Sequence, residues 1–213
     1  MRSIVTVASP ASDTALTTLA RVKLELNITT NANDVILQDK IDEASDDIEA
    51  ALGFRVVRET VVETFWREQY DSIPDRLILD RTPVVSIASV VVDGETFDVS
   101  RWRLDPKTGE LFALDTSGWP CVWLFFKSTV VSYDGGYILP DASNSDLPKG
   151  IEGACIDLVS SFWAAKGRDP AVKSEEIMGV ISKQYWVGAV GEDGELPPSV
   201  VMKLTPFRRA IAV

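Results

Sequence analysis

The chain has 213 residues, of which 46% are hydrophobic and 25% charged, and its formal net charge is −11. This length and composition are typical of a globular protein with one domain or two small ones, and they exclude wholesale disorder. The acidic balance argues against a general nucleic-acid binder, because phosphate binding depends on Lys and Arg, but it suits a channel through which DNA slides. No apolar run approaches the roughly 20 residues that span a bilayer, and the N-terminal stretch is too weak for a secretory signal.

Several common chemistries are excluded by what the sequence lacks. It contains no histidine, which removes the commonest general base, the Ser–His and Cys–His nucleophile pairs and the commonest zinc ligand. It contains neither of the usual glycine-rich phosphate loops. Cys121 and Cys155 lie in separate apolar segments, so we expect two buried thiols in a cytosolic protein and no disulfide. We expect no cofactor and no catalytic or metal site.

Two helices are predicted in the N-terminal quarter. The first covers about residues 12–25, with Ser12 or Asp13 as its N-cap. The second covers 33–52 and ends at Gly53, where a left-handed residue is needed. Its apolar residues form one stripe. Its other face is acidic and includes Asp39, Asp42, Glu43, Asp46 and Asp47.

From residue 55 to about 137 the hydrophobic period shifts towards two, which predicts five or six antiparallel strands. Asp93-Gly94 predicts a hairpin turn, and the DPKTGE segment predicts a second one. We expect one long strand from CVWLFF to YDGGY, whose glycines allow a sharp turn where a side chain would clash.

The C-terminal part returns to helical patterns. Pro148 opens a predicted helix over 148–166, a polar stretch follows in which IMGVISKQYWV resembles a strand, and SVVMKL forms a short last helix that Pro206 stops. The order of elements predicts an α+β fold: a helical bundle with an inserted antiparallel β-meander and an extended C-terminal arm. We assign residues 1–54 to an N-terminal helical part, 55–140 to the β-region, 141–205 to a C-terminal helical part with an exposed excursion near 167–198, and 206–213 to the arm.

Three segments together resemble the head–tail connector (adaptor) proteins of long-tailed bacteriophages and gene transfer agents. They are LARVKLELNI…NDVILQDKIDEASDDIEAALGF, then LILDRTPVVSIASVVVDG with the later YDGGY and LPKGIEGACIDLVSSFW, and finally LPPSVVMKLTPFRR. Phe207 stands where the family usually has Tyr. The resemblance spans most of the chain and depends on the order and spacing of these motifs.

The resemblance implies a structural virion protein at the head–tail junction, made in the bacterial host cytoplasm. Such adaptors form a ring of copies, usually twelve, under the portal protein, receive a stopper or tail-completion protein on the other side, and let DNA pass without specific binding. No membrane is involved. The portal-binding residues would be Lys203, Leu204, Pro206, Phe207, Arg208, Arg209 and Ile211. The five acidic residues of the second helix would face the lumen or a neighbouring subunit.

Other interpretations remain open from the residues alone. The acidic helix face is also typical of a solvated surface, and the C-terminal residues could form a packed helix followed by a frayed end. The chain could be a stopper or tail-completion protein, which would bind a different partner. A metal-dependent hydrolase could use the DEASDD carboxylates or the GEDGE segment at 191–195, although the latter lacks the length of a calcium loop.

Overall fold

The structure is a computed structural model that describes residues 1–68, 71–125, 127–166, 174–177, 181–184 and 196–208. Helices and antiparallel sheets are both present, which confirms the α+β class. The chain divides into two compact units, each built from two separate stretches. The sheet unit contains Met1–Asp13 and Phe54–Ile138, and the helical unit contains Thr14–Gly53 and Leu139–Val213.

The sheet unit holds nine strands in two antiparallel sheets. In chain order they are β1 (Arg2–Ser9), β2 (Glu59–Trp66), β3 (Arg76–Ile78), β4 (Val84–Val92), β5 (Glu95–Thr96), β6 (Trp102–Asp105), β7 (Glu110–Leu114), β8 (Pro120–Cys121) and β9 (Thr129–Gly135). The larger sheet has the order β1-β2-β9-β4-β5. The smaller sheet has the order β3-β7-β6, and β8 also pairs with β7.

The core of this unit forms because period-two alternation gives each strand one buried face. Strand β2 alternates buried and half-buried residues along its whole length. Both sheets contribute to one buried cluster, whose largest members are Phe65, Trp123, Phe125 and Tyr133. The Trp123 indole Nε1 donates a hydrogen bond to the Leu111 carbonyl at 2.8 Å, so its one polar atom is satisfied inside the core.

The helical unit contains α1 (Leu19–Glu25), α2 (Asp34–Leu52), α3 (Lys149–Ala165) and α4 (Pro198–Leu204). The predicted apolar stripe of α2 is buried, and α2 ends at Gly53 with φ +75°. Ser45 joins several segments, since its hydroxyl accepts a hydrogen bond from the Leu16 N–H and donates one to the Ile41 carbonyl. Cys155 of α3 lies 3.8 Å from the same hydroxyl and is a buried free thiol, while Cys121 is half-buried and also free.

The first helix begins later than predicted, at Leu19 and not near residue 12. Thr18 is its N-cap, with a side chain that accepts a hydrogen bond from the Arg21 N–H. The preceding Leu16 is fully buried and its N–H is bound by Ser45, so tertiary contacts hold this segment outside the helix. Strand β1 was not predicted at all. Its residues are nearly all exposed, and pairing with β2 over seven register pairs stabilises it.

The sheet is not a simple meander. Strand β9 lies between β2 and β4, so strands distant in the chain are neighbours. The long strand predicted from Cys121 to Tyr137 is broken into β8 and β9. The Trp123 N–H bonds to the Pro74 carbonyl, and the Asp93 carboxylate accepts from the N–H groups of Lys127 and Ser128, which turns the chain before β9 begins.

Two further strands, β10 (Ser174–Ile177) and β11 (Ile181–Gln184), pair antiparallel within the predicted excursion. The segment predicted as one strand, IMGVISKQYWV, therefore contains the end of β10 and all of β11. The GEDGE segment lies outside the described residues. Among the residues that the structure describes, no helix is long and apolar enough to cross a membrane.

Candidate interaction site

The acidic face of α2 is a continuous exposed surface. Leu37, Ile41, Ala44 and Ile48 point into the core, and the helical period places the five predicted acidic residues on the opposite side. Asp39, Asp42, Glu43, Asp46 and Asp47 are all exposed. The structure thus brings the predicted lumen or interface residues together on one helix face.

The charges on this face are only partly compensated. Lys40 forms a salt bridge with Glu43, and the Gln38 amide donates to Asp42 at 2.9 Å. The pKa of Asp47 is raised, first by partial burial and then by the negative charges of Glu43 and Asp46. A raised pKa means that the ionised carboxylate is disfavoured where it stands. The ionised form of Asp47 is therefore held at some cost to stability, from its partial burial and from its charged neighbours.

The same carboxylates do not form a metal-binding group. No set of three or more His, Cys, Asp or Glu side chains suited to hold a metal ion occurs in the described part of the chain. With charges spread along an exposed helix and no convergent donors, the surface can repel polyanions or attract cationic partners over a Debye length.

The C-terminal candidates fall into two groups, and the first is part of the helical unit. Leu204 is fully buried in the core. Lys203 forms a salt bridge with Asp157 at 2.5 Å and donates to the Gly153 carbonyl at 3.3 Å. Both residues therefore attach α4 to α3.

Phe207 also packs inward. Pro206 and Phe207 lie in a 3₁₀ turn, Thr205–Phe207, that follows α4. A Cβ atom added to Gly150 would lie 2.8 Å from the Phe207 ring, so the ring rests directly on the start of α3. Arg208 then leaves in extended conformation and is exposed. Arg209 and Ile211 lie outside the described residues.

Sequence reasoning missed a buried polar network in the sheet unit. The Glu63 carboxylate accepts hydrogen bonds from the Asp80 N–H and the Tyr133 hydroxyl, both at 2.9 Å. The Arg81 N–H donates to the same hydroxyl at 3.0 Å. Burial raises the pKa values of both Glu63 and Tyr133. The alternation along β2 could have predicted that Glu63 is buried, because Glu63 lies on the same strand face as the core residues Val61 and Phe65.

The YDGGY motif has the conformational role that the sequence suggested. Gly136 has φ +100°, and an added Cβ would lie 2.4 Å from the Val57 carbonyl oxygen. At Gly135 the same atom would lie 2.4 Å from the Arg81 carbonyl oxygen. Two neighbouring backbone segments thus approach β9 so closely that no side chain fits.

Comparison with known proteins agrees with the sequence motifs. The family model for phage gp6-like head-tail connector proteins matches residues 16–91, a range that includes α1, α2, β2, β3 and nearly all of β4. This match confirms the resemblance to head–tail connectors over that part of the chain. None of the curated proteins matches the sequence.

The fold is also similar to chains in solved structures of gene transfer agent (GTA) particles. One structure is the virion of a native particle, with a TM-score of 0.60. The others are the neck of an empty particle computed with C6 symmetry and the neck of a native particle computed with C12 symmetry, each with a TM-score of 0.59. Each alignment covers 99% of this chain and 97% of that chain at 14% identity. At this identity the likeness shows a shared fold.

Proposed function

We propose that the chain is a structural head–tail adaptor of a virion. Copies form a ring at the head–tail junction of a bacteriophage or gene transfer agent, between the DNA-filled capsid and the tail, and DNA passes through the ring. The observation that carries the proposal is the head-tail connector match over residues 16–91. The fold likeness to GTA neck and virion chains along nearly the whole chain supports it. The role is geometric and requires no catalytic group.

In this proposal the helical unit is the bundle of the adaptor, and the Phe54–Ile138 part of the sheet unit is its insertion. Unit boundaries near Gly53 and Ile138 support that division. The ring has about twelve copies, with a portal protein on one side and a stopper or tail-completion protein on the other.

The arm that reaches the portal begins at Arg208. The base of the arm consists of residues in α4 and the 3₁₀ turn, namely Lys203, Leu204, Pro206 and Phe207. Lys203, Leu204 and Phe207 also make contacts within the helical unit. Arg208, Arg209 and Ile211 supply the contacts beyond it. Two cations and an apolar residue suit an acidic surface with a small apolar pocket.

The acidic face of α2 lines the lumen or meets a neighbouring copy. Repeated around a ring, its charge repels the DNA phosphates and keeps the duplex from adhering to the wall. The acidic charge on this face is only partly compensated, by the Lys40–Glu43 salt bridge and by the hydrogen bond from Gln38 to Asp42, which supports a role other than stabilisation of the helix.

Binding to purified portal protein tests the arm. We expect the full chain to form rings on portal that are visible by electron microscopy, and a chain truncated after Phe207 to keep its fold but lose portal binding. Truncation at this point leaves the ring of Phe207 on Gly150, so unfolding does not confuse the result. Normal docking of the truncated chain would refute the arm, and docking of the full chain to a tail-side protein alone would favour the stopper alternative.

Charge reversal tests the acidic face. The double variant Asp42→Lys/Asp46→Lys should reduce ring assembly or DNA delivery. The control variant Glu25→Lys/Asp141→Lys changes the net charge equally at exposed sites outside α2 and should leave both intact. Equal behaviour of the two variants would remove the face from the proposal.

A further inference from the structure

The larger sheet has two open edges. Among the described residues β1 pairs only with β2, and all its residues except Val5 are exposed. At the other side β5 has two residues and pairs only with Val91 and Val92 of β4. The Val85–Ser89 stretch of β4 is therefore left without a neighbouring strand in the described structure, and four of its five residues are exposed.

Charge is distributed across this sheet in the reverse of the usual order. Exposed edge strands normally carry charged residues that prevent pairing with another chain. Here the central strands hold three carboxylates, Glu59 and Glu63 on β2 and Asp134 on β9. The two long edge strands hold none: β4 has no charged residue, and β1 has only Arg2, which is paired with Glu68 at 3.1 Å. The one carboxylate at an edge is Glu95 of the two-residue β5, so the long edges have little charge in a chain of net charge −11.

Backbone chemistry defines what such edges bind. In an antiparallel pair, alternate residues direct both N–H and C=O away from their partner strand. Along eight-residue β1 this presents about three or four residues with free donors and acceptors. An extended polypeptide can form hydrogen bonds with these donors and acceptors by joining the sheet as an additional strand. Apart from Arg2 at the start of β1, no charged side chain of β1 or of Val85–Ser89 has to be desolvated when this happens.

We propose that the free edge of β1 in one copy pairs with the free Val85–Ser89 edge of β4 in the next copy, so that the sheets continue from subunit to subunit. The inference rests on the proposed ring function and names the contact that builds the ring. Two copies of a chain with a net charge of −11 repel each other, and edges without carboxylates are where they can approach.

Symmetry selects this pairing over the obvious alternative. Pairing of β1 with β1 of a second copy is self-complementary and closes as a dimer. Pairing of opposite edges is heterologous, and a heterologous contact generates a closed ring when its rotation permits. Only the second arrangement serves a ring of many copies.

Lysine substitutions on the edges test the contact. Thr6→Lys and Ala88→Lys place a charge on β1 and β4 at exposed positions, and Val99→Lys adds the same charge at a side chain that is 70% exposed outside the two edges. We expect Thr6→Lys and Ala88→Lys each to lower the yield of rings on portal protein at least tenfold relative to Val99→Lys, with thermal melting unchanged. Equal ring yields for all three variants would overturn the inference while leaving the adaptor function intact.

Chemical cross-linking identifies which edges meet. In a Cys121→Ser background, rings of the Thr6→Cys/Ala88→Cys variant treated with a short bismaleimide should give a ladder of more than two linked chains. Thr6→Cys alone should give none. Dimers from Thr6→Cys alone, or rings without any ladder, would overturn the proposed pairing. If the unmodified chain forms no rings on portal, the proposed function fails and this inference fails with it.

Discussion

Replacing Gly136 with alanine should destabilise the sheet unit by more than its backbone dihedral alone explains. Gly94 provides the matched control, because its φ of +96° is close to the +100° of Gly136 while an added Cβ would meet nothing within 4 Å. Gly94→Ala therefore measures the conformational cost of a left-handed alanine, about 1–2 kcal/mol.

Gly136→Ala adds a steric cost to the same conformational cost. Its Cβ would lie 2.4 Å from the oxygen and 2.7 Å from the carbon of the Val57 carbonyl. Both atoms belong to the backbone, so relief requires movement of the chain entering β2. Overpacking of this kind costs about 1–3 kcal/mol, which brings the expected total to about 2–5 kcal/mol.

Urea denaturation of the full chain, followed by tryptophan fluorescence, measures both variants. Four of the six tryptophans, Trp66, Trp102, Trp119 and Trp123, lie in the sheet unit and report its unfolding. The difference between the two variants isolates the clash with Val57. If Gly136→Ala is no more destabilising than Gly94→Ala, the close approach at YDGGY is not what requires the glycine.

Four other substitutions give three separate checks. Glu63→Gln should raise the free energy of unfolding at pH 8 relative to the wild type. The pKa of Glu63 in the folded state is raised above 4.5, so the wild type loses stability as the pH rises through that raised pKa, whereas the variant does not. The gain should vanish in denaturation below pH 4. Gly153→Ala should stabilise the chain by up to about 1 kcal/mol through helix propensity. Gly150→Ala should give no such gain, because its Cβ would lie 2.8 Å from the Phe207 ring, and thermal melts compare the two variants. Asp47→Asn should stabilise α2 by about 0.2–0.5 kcal/mol at pH 7 by removing a like-charge neighbour, with no difference in acid, where Asp47 is protonated.

Local signals in the sequence were sufficient for the elements whose stability is local. The apolar stripe and terminal glycine predicted α2 to within one residue, and Pro148 marked the start of α3. Asp93 and Gly94 form the predicted hairpin turn, with φ values of +53° and +96°. Each of these features depends on a few neighbouring residues, which is why a single sequence contains the information.

The elements that were missed depend on contacts between distant residues. Strand β1 has no buried face, so its sequence shows no alternation of hydrophobic and polar residues. It is held as a strand by pairing with β2, some fifty residues later in the chain. The position of β9 between β2 and β4 is likewise a non-local pairing. The contact of Phe207 with Gly150 likewise joins residues that are fifty-seven positions apart in the chain. Pattern analysis of one segment at a time cannot identify such partners.

The arrangement of charge in this chain does not favour the stability of a single subunit, and the proposed ring offers a reason for it. Asp47 carries a raised pKa on a face crowded with carboxylates, so a neutral residue would make a more stable helix. Strand β1 carries only one charge, Arg2, and the Val85–Ser89 stretch of β4 carries none, so both have few of the charges that keep a solitary sheet from pairing with another chain. Both features reduce the fitness of an isolated monomer, the first in stability and the second in resistance to association. Both are advantageous in the proposed ring, where subunits meet along edges with little charge and acidic faces repel DNA, and natural proteins retain such costs where function requires them.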